Sequence, residues 1–194
     1  MRSLRGIACA CTLSASLVTP FSSFAQTPGG PAGRETIAAA DGGALSEWDR
    51  RVRLMIQRGE LKRREEQVSE DGARRDEWFQ QLHKGVPVDG AEVWRQQDRG
   101  KTTAIEGTIF SGIRVNPVPK LTRAEALAAF QALTPDGAGP SLPPQLMIRA
   151  MPGETFVLVY RARVFTAEGA AVYALDASTG AQVSKDPEPS VPEP

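Results

Sequence analysis

Strand-length runs separated by turn residues constrain this sequence more than any other feature. In the run 155–165, aromatic and aliphatic side chains alternate with a second series that ends in Arg161 and Arg163. Period-two alternation of this kind predicts a β-strand with one face packed on a core. Two further extended runs, 145–150 and 170–176, are separated from it by short segments that contain glycine. The pattern predicts an antiparallel meander.

A helix is predicted just before this meander. Thr122 and Glu125 have the spacing of a capping box, in which the two side chains satisfy free backbone N–H groups of the first helical turn. An apolar stripe follows at helical spacing and stops before Pro135, a residue that ends helices. The stripe consists of Ala126, Leu127, Phe130 and Leu133. Such a helix needs a sheet to cover, so residues 116–184 are predicted to form a helix-plus-meander unit.

The preceding part of the chain predicts a second unit over residues 44–115. Apolar residues recur at helical spacing before Gly59, namely Leu45, Trp48, Val52, Met55 and Ile56. The segment 61–82 is rich in charged residues that favour a helix by propensity, but Asp71-Gly72 in its middle is a strong hairpin signal. Pro87 disfavours helix at the residue before it. We therefore expect an N-terminal helix followed by a meander.

The N-terminal segment has the three-part pattern of a secretory signal peptide. Arg2 and Arg5 precede an apolar run of about 12 residues, and small residues suited to cleavage follow it. The run is shorter than the roughly 20 residues with which a helix spans a bilayer. We expect a signal peptide over 1–25, a secreted or periplasmic protein, and no membrane span after signal removal. Because Cys9 and Cys11 leave with the signal, disulfide and thiol chemistry are excluded from the mature chain.

Two segments are predicted to lack packed structure. Residues 26–43 are rich in Gly, Ala and Pro without a period, a composition that buries too little surface to offset its ordering entropy. They are predicted to be a flexible leader. Residues 185–194 alternate proline with charged and polar residues and are predicted to be an extended, solvated tail.

Charge and residue inventory favour a protein without reactive groups. Lys plus Arg and Asp plus Glu each number 23, so no basic surface is predicted for nucleic acid. The one histidine, His83, argues against a zinc site, and no Gly-x-Ser-x-Gly or His-Glu-x-x-His motif occurs. The carboxylate pairs at 65–66 and 76–77 are predicted to be paired surface charges. We expect no catalytic residue, metal or cofactor. Three strand aromatics are predicted to lie in the core rather than in a binding patch: Trp78, Phe79 and Trp94.

One phrase of the chain resembles a known family signature. The segment 78–93 is similar to the phrase Q-x-x-x-G-x-P-V-x-G-x-x-V of the fungalysin/thermolysin propeptide domain, with matches at Gln81, Gly85, Pro87, Val88, Gly90 and Val93. The continuation from Gly107 to the Pro119-x-Leu121 entry and the Glu125-Ala126 helix resembles the junction of that domain with a PepSY domain. The segment 155–180 resembles the closing phrase of such pro-regions. Asp176 and Gly180 fall in that phrase, and the residues themselves predict a strand-ending turn closed by side-chain hydrogen bonds, with Gly180 at positive φ.

The resemblance implies a fold and a function. The implied fold is α+β, with two small antiparallel sheet-plus-helix units of propeptide and PepSY type, cystatin-like, after the signal peptide. The matched residues are expected to be structural. In that family the pro-region assists folding of a secreted thermolysin-like metallopeptidase and inhibits it, acting as an intramolecular chaperone. The peptidase domain and its zinc motif are absent from this sequence.

Several functions stay open at this point. The leading expectation is an exported, non-catalytic inhibitor or folding aid whose partner is a secreted metallopeptidase. Its docking segment is expected just after Gly180, where main-chain hydrogen bonds would add a strand along the peptidase cleft: Ala181, Gln182, Val183, Ser184 and Lys185. The alternatives are an incomplete precursor, a structural or ligand-binding PepSY-type module of the cell envelope, and an enzyme. The oligomeric state is left open.

Overall fold

The computed structural model describes residues 33–134, 139–153, 155–166 and 169–187. The predicted signal peptide and residues 188–194 of the predicted tail lie outside these ranges. Within them the elements are β1 Gly33–Ala39, α1 Gly42–Gln57, β2 Leu61–Val68, β3 Arg74–His83, β4 Val86–Asp98, β5 Lys101–Ser111, α2 Arg123–Ala132, β6 Gln145–Met151, β7 Thr155–Thr166, β8 Gly169–Asp176 and β9 Gln182–Pro187. Neither of these two helices has the length and apolar character needed to cross a bilayer.

All the strands of the described residues belong to one sheet, which corrects the predicted fold class. The order along the sheet is β1-β5-β4-β6-β7-β8-β9, and β3 and β2 branch from β4. Neighbouring strands are antiparallel except β4 and β6, which pair in parallel at Val88 and Ile148. The prediction of two small separate sheets is therefore wrong. It followed local patterns, and these cannot show that Val88 pairs with a residue so far along the chain.

Both helices cover the same face of this sheet. Val88, Ala91 and Val93 of β4 are fully buried on that face. Val93 belongs to the core under α1, together with Phe79, Ile105 and other residues. Val88 and Ala91 belong to the core under α2, which includes Phe130. Val88 and Ala91 are three residues apart and still face one core, because the pairing of β4 with β3 is irregular between Pro87 and Glu92. Asp89 and Glu92 lie on the opposite face. Among the described residues, no helix packs on that opposite face, which we call the open face.

The predicted flexible leader and Pro-rich tail are both partly wrong. Residues 33–39, within the predicted leader, form β1 and pair with β5 from Gly33 and Ser111 to Ala39 and Ile105. Ile37 and Ala39 are buried, so this short segment joins the core despite its Gly- and Ala-rich surroundings. At the other end, β9 pairs with β8 as far as Pro187, so residues 185–187 are ordered in the sheet.

Several local predictions are confirmed. The capping box at the start of α2 is present, because the Thr122 hydroxyl accepts from the Glu125 N–H and the Glu125 carboxylate accepts from the Thr122 N–H. The turn between β2 and β3 lies at Asp71-Gly72, where Gly72 has φ 70°. The helix predicted around Trp48 is α1, although it begins earlier, at Gly42.

A buried ion pair lies under α1. The Arg95 guanidinium donates to Glu77 Oε2 from Nη2 at 2.6 Å and from Nε at 2.9 Å. Arg63 reaches Glu77 Oε1 at 3.2 Å, and Asp49 of α1 lies 3.7 Å from Arg95. Glu77 is 4% exposed, so the prediction that the 76–77 carboxylates are surface charges is wrong. Each buried charge of this network has a partner, and Asp49 connects the network to α1.

Candidate functional site

The two halves of the sheet join at a bulge in β4. Gln80 pairs with Glu92 and Leu82 pairs with Pro87, so one residue on β3 faces four residues on β4. The extra residues carry β4 away from β3 and towards β6. Gln80 fills the gap, because its side-chain amide donates to the Val88 carbonyl at 2.7 Å and to the Ala91 carbonyl at 2.9 Å. The Gln80 side chain thereby bridges two backbone carbonyls across the bulge.

The matched residues of the family phrase surround this junction. Gln81 donates to the Phe110 carbonyl at 2.7 Å and accepts from the Phe110 N–H at 2.8 Å, which ties β3 to the end of β5. Gly85 and Gly90 have φ 85° and 70°, values that a side chain would strain. Pro87 pairs with Leu82, and Val88 makes the contact with β6. Each of them shapes the backbone of the junction.

The other two predicted structural residues, Asp176 and Gly180, lie at the end of β8 and in the turn that follows it. The Asp176 side chain accepts hydrogen bonds from the N–H groups of Ser178 and Thr179, both at 2.8 Å. Gly180 has φ 74°, as the turn prediction required. The N–H groups of Lys120 and Leu121 donate to the Ala177 carbonyl, so this turn also anchors the entry to α2.

A charge cluster crosses the open face beside the junction. Arg149 of β6 lies 3.3 Å from Asp89 of β4 and 2.8 Å from Asp186 of β9. Strand β9 is three strands away from β6 in the sheet, so this contact requires a strongly curved, concave face. The hydrogen bond from Arg149 lowers the pKa of Asp186 below its ordinary value. Arg161 of β7 lies 4.0 Å from Asp89. The cluster connects the junction to the far edge of the sheet.

A groove of about 510 Å³ lies on the open face at the junction. Strands from both halves line it, among them β2, β3, β4, β6 and β7. Lys62, Gln80, Asp89, Gln145, Met147 and Arg161 contribute its side chains. Sequence reasoning did not identify this site. The only signal was the placement of Arg161 inside the alternating run, on the side opposite the apolar series.

The strand aromatics divide between the two faces. Phe79 is 3% exposed and lies in the core under α1, as predicted. Trp78 and Trp94 pair side by side on β3 and β4, and both are half-buried on the open face, so the core prediction is wrong for them. In the same row Trp94 pairs with Glu106 of β5. The open face thus carries two half-buried tryptophans in addition to the groove.

The predicted docking segment is mostly strand. Ala181 ends the turn and Gln182–Lys185 belong to β9, which pairs with β8 along one edge. In the described sheet β9 is the last strand beyond β8. An added strand would therefore pair with the outer edge of β9.

His83 and the carboxylates form no metal site in the described ranges, where no group of three or more His, Cys, Asp or Glu side chains converges. His83 ends β3, and its Nε2 atom is buried without a hydrogen-bond partner in that part of the chain. Burial and the neighbouring Lys84 lower the pKa of His83 below its ordinary value. A histidine in that state is a neutral imidazole near pH 7.

Comparison with known proteins does not assign this chain to a family. No protein-family model matches the sequence, and no curated protein matches it. A solved structure, the Bacillus megaterium YpeB C-terminal domain, is similar with a TM-score of 0.39 and 13% sequence identity. The match covers 76% of this chain and 66% of that domain, so this chain spans slightly less than two thirds of it. A likeness at this level carries no argument about fold or function.

Proposed function

We propose that this chain is an exported, non-catalytic module that binds another polypeptide on its open face. The observation that carries the proposal is the placement of both helices on one side of the sheet. The other side is concave and holds the groove, the Trp78–Trp94 pair and the charge cluster. Tryptophan and arginine are among the residue types enriched at protein–protein interfaces.

The resemblance to propeptide domains gives the partner class. We propose a secreted thermolysin-like metallopeptidase, which the module would inhibit or help to fold. The outer edge of β9 offers backbone groups for strand addition by the partner, in line with the expectation for Ala181–Lys185. The residues that match the propeptide signature would support binding indirectly, because they shape the junction that underlies the groove.

The test uses the chain after signal removal as bait in culture supernatant of the source cells. We expect recovery of a zinc peptidase, identified by mass spectrometry, and inhibition of that enzyme by the purified chain. The double variant W78A/W94A should weaken inhibition at least about tenfold. Truncation of a hot-spot tryptophan to alanine typically costs about 2 kcal/mol of binding free energy or more. The control is Arg50→Ala on the exposed side of α1, which should leave inhibition unchanged. Equal inhibition by all three proteins would contradict the use of the open face.

A second candidate function is a ligand-binding module of the cell envelope. The groove volume of about 510 Å³ favours it, because pockets for small ligands occupy roughly 300–1,000 Å³. The position of the gene separates the two candidates. A thermolysin-like peptidase in the neighbouring reading frame favours the propeptide function, and its absence together with an empty pull-down favours the envelope module.

A further inference from the structure

The groove at the junction contains a donor without an acceptor. The Arg161 Nε atom is buried and has no hydrogen-bond partner among the described residues. The rest of this guanidinium is not enclosed, since the side chain is 39% exposed. A buried N–H on a charged group is costly unless an acceptor reaches it. The exposed Nη end of Arg161 therefore faces the groove, while its Nε atom is buried without an acceptor.

The carboxylate of Asp89 does not accept a hydrogen bond from Arg161. Asp89 Oδ1 lies 4.0 Å from Arg161 Nη1, which is too long for a hydrogen bond. Asp89 Oδ2 is at 3.3 Å from Arg149, and Arg149 is held in turn by Asp186 at 2.8 Å. Asp89 thus shares its charge with two arginines. Arg161 is the less closely paired of the two.

The remaining charges leave the groove with an excess of positive charge. Arg64 and Glu92 pair with each other at 3.0 Å. Arg63 pairs with Glu77 and Glu66 on the helix-covered face. Lys62 makes no ion pair with any residue in the described ranges, and it lines the same groove as Arg161. Two cations, Lys62 and Arg161, therefore face the groove. The negative charges near Arg161 are Asp89, which it shares with Arg149, and Asp186, which Arg149 holds at 2.8 Å.

We propose that this groove binds a carboxylate group of the partner polypeptide, with Arg161 as the principal donor and Lys62 as the second cation. The exposed Nη end of this guanidinium offers two parallel N–H donors that match the two oxygens of a carboxylate. The inference rests on the proposed function for the polypeptide nature of the ligand. The carboxylate would come from the C-terminus of the partner or from an Asp or Glu side chain.

The experiment follows the Arg161 Nε–Hε signal of the ¹⁵N-labelled mature chain by NMR during titration with short peptides. The probes are acetyl-Ala-Ala-Ala with a free C-terminus, the same peptide amidated, and acetyl-Ala-Glu-Ala amidated. We expect the free-acid peptide or the glutamate peptide to shift this signal, and the amidated alanine peptide to leave it in place. Which of the two acidic peptides acts identifies the source of the carboxylate.

Two variants provide the controls. Arg161→Gln should weaken binding of the acidic peptide at least tenfold, as followed by the shifts of backbone signals around the groove, because it removes a charge-assisted hydrogen bond. Arg163→Gln, one alternation further along the same face of β7, should bind like the wild-type chain. A backbone spectrum that is otherwise unchanged shows that each variant is folded.

Absence of any shift with the acidic peptides, equal shifts with the amidated alanine peptide, or equal weakening by the two variants would overturn the proposal. These outcomes are separate from the capture of a peptidase, which tests the proposed function. If a peptidase is captured and inhibited but the acidic peptides cause no shift, the partner binds at another surface of the protein. If the groove binds the peptides and no peptidase is found, the site stands and the partner assignment fails.

Discussion

Gly107 of β5 is the position where one added methyl group should damage the sheet most. It pairs with Ile37 of β1 and with Val93 of β4, so neighbouring strands hold it on both sides. Its φ is 145°, a conformation that side chains rarely adopt. A Cβ atom built there would collide with the Glu92 carbonyl oxygen and lie 2.8 Å from the Val93 Cα. Both obstacles are backbone atoms, so no side chain can rotate to make room.

The expected cost of Gly107→Ala has two parts. The strained backbone contributes about 1–3 kcal/mol. Displacement of packed strands contributes about 1–3 kcal/mol more, by analogy with overpacked cores. The loss of about 2–6 kcal/mol is a large share of the roughly 5–15 kcal/mol by which domains are stable. Urea unfolding followed by tryptophan fluorescence measures it, because Trp94 lies next to the affected pairing.

The matched control is Gly100→Ala in the turn between β4 and β5. Gly100 also has a positive φ, 78°, but an added Cβ there meets nothing within 4 Å. We expect a loss of about 1–2 kcal/mol from conformation alone. If Gly107→Ala destabilises the protein no more than Gly100→Ala does, the close approach of β4 and β5 is not what requires glycine at this position.

Three further changes test the core and the charge network. Glu77→Gln should destabilise the protein by about 3–5 kcal/mol, because it removes the closer carboxylate partner of the buried Arg95 and leaves only Asp49 at 3.7 Å. The double variant E77L/R95M should recover most of this loss in the same urea assay. If it does not, the loss comes from packing and not from the buried charge. Thr122→Ala removes a cap of α2 and should cost about 1 kcal/mol, measured as a lower thermal midpoint, and an unchanged midpoint would mean that the capping box contributes nothing. The hydrogen bond from Arg51 lowers the pKa of Glu35 from its ordinary value of 4.5. The ionised carboxylate therefore stabilises the folded state at pH values above 4.5. This stabilisation is lost as the pH falls from 4.5 through the pKa that Glu35 has in the folded state. Glu35→Gln should therefore flatten this part of the acid-unfolding profile, and an unaltered profile would refute the assignment.

Local sequence patterns predicted the elements of this fold better than their assembly. The capping box at Thr122, the turn at Asp71-Gly72 and the alternating strand β7 each depend on residues close together in the chain, and each is present. The segment Gly33–Ala39 has a weak strand composition and becomes a strand because β5 offers an edge to pair with. That partner lies far along the chain, and single-residue propensities carry no information about it.

The candidate site was missed for the same reason. Lys62, Asp89 and Arg161 belong to three different strands, and only the bulge of β4 and the curvature of the sheet bring them to one groove. The matched phrase around Pro87 pointed to the correct region, because it encodes the bulge. It contained no sign that the bulge reaches β6, so the two halves were expected to fold as separate units.

The strand β4 is shared by both halves, and this has a mechanical consequence. Its residue Val88 pairs with Ile148 of β6 and its later residues pair with β5. Val88 and Ala91 also belong to the core under α2, so a swing of one half would break this pairing and open that core. The strands that line the groove therefore hold their relative positions before a ligand binds, and little conformational entropy would be lost on binding. We therefore expect no fast exchange between open and closed conformations where the two halves of the sheet join. A ligand would bind to a preformed groove without rearrangement of the backbone.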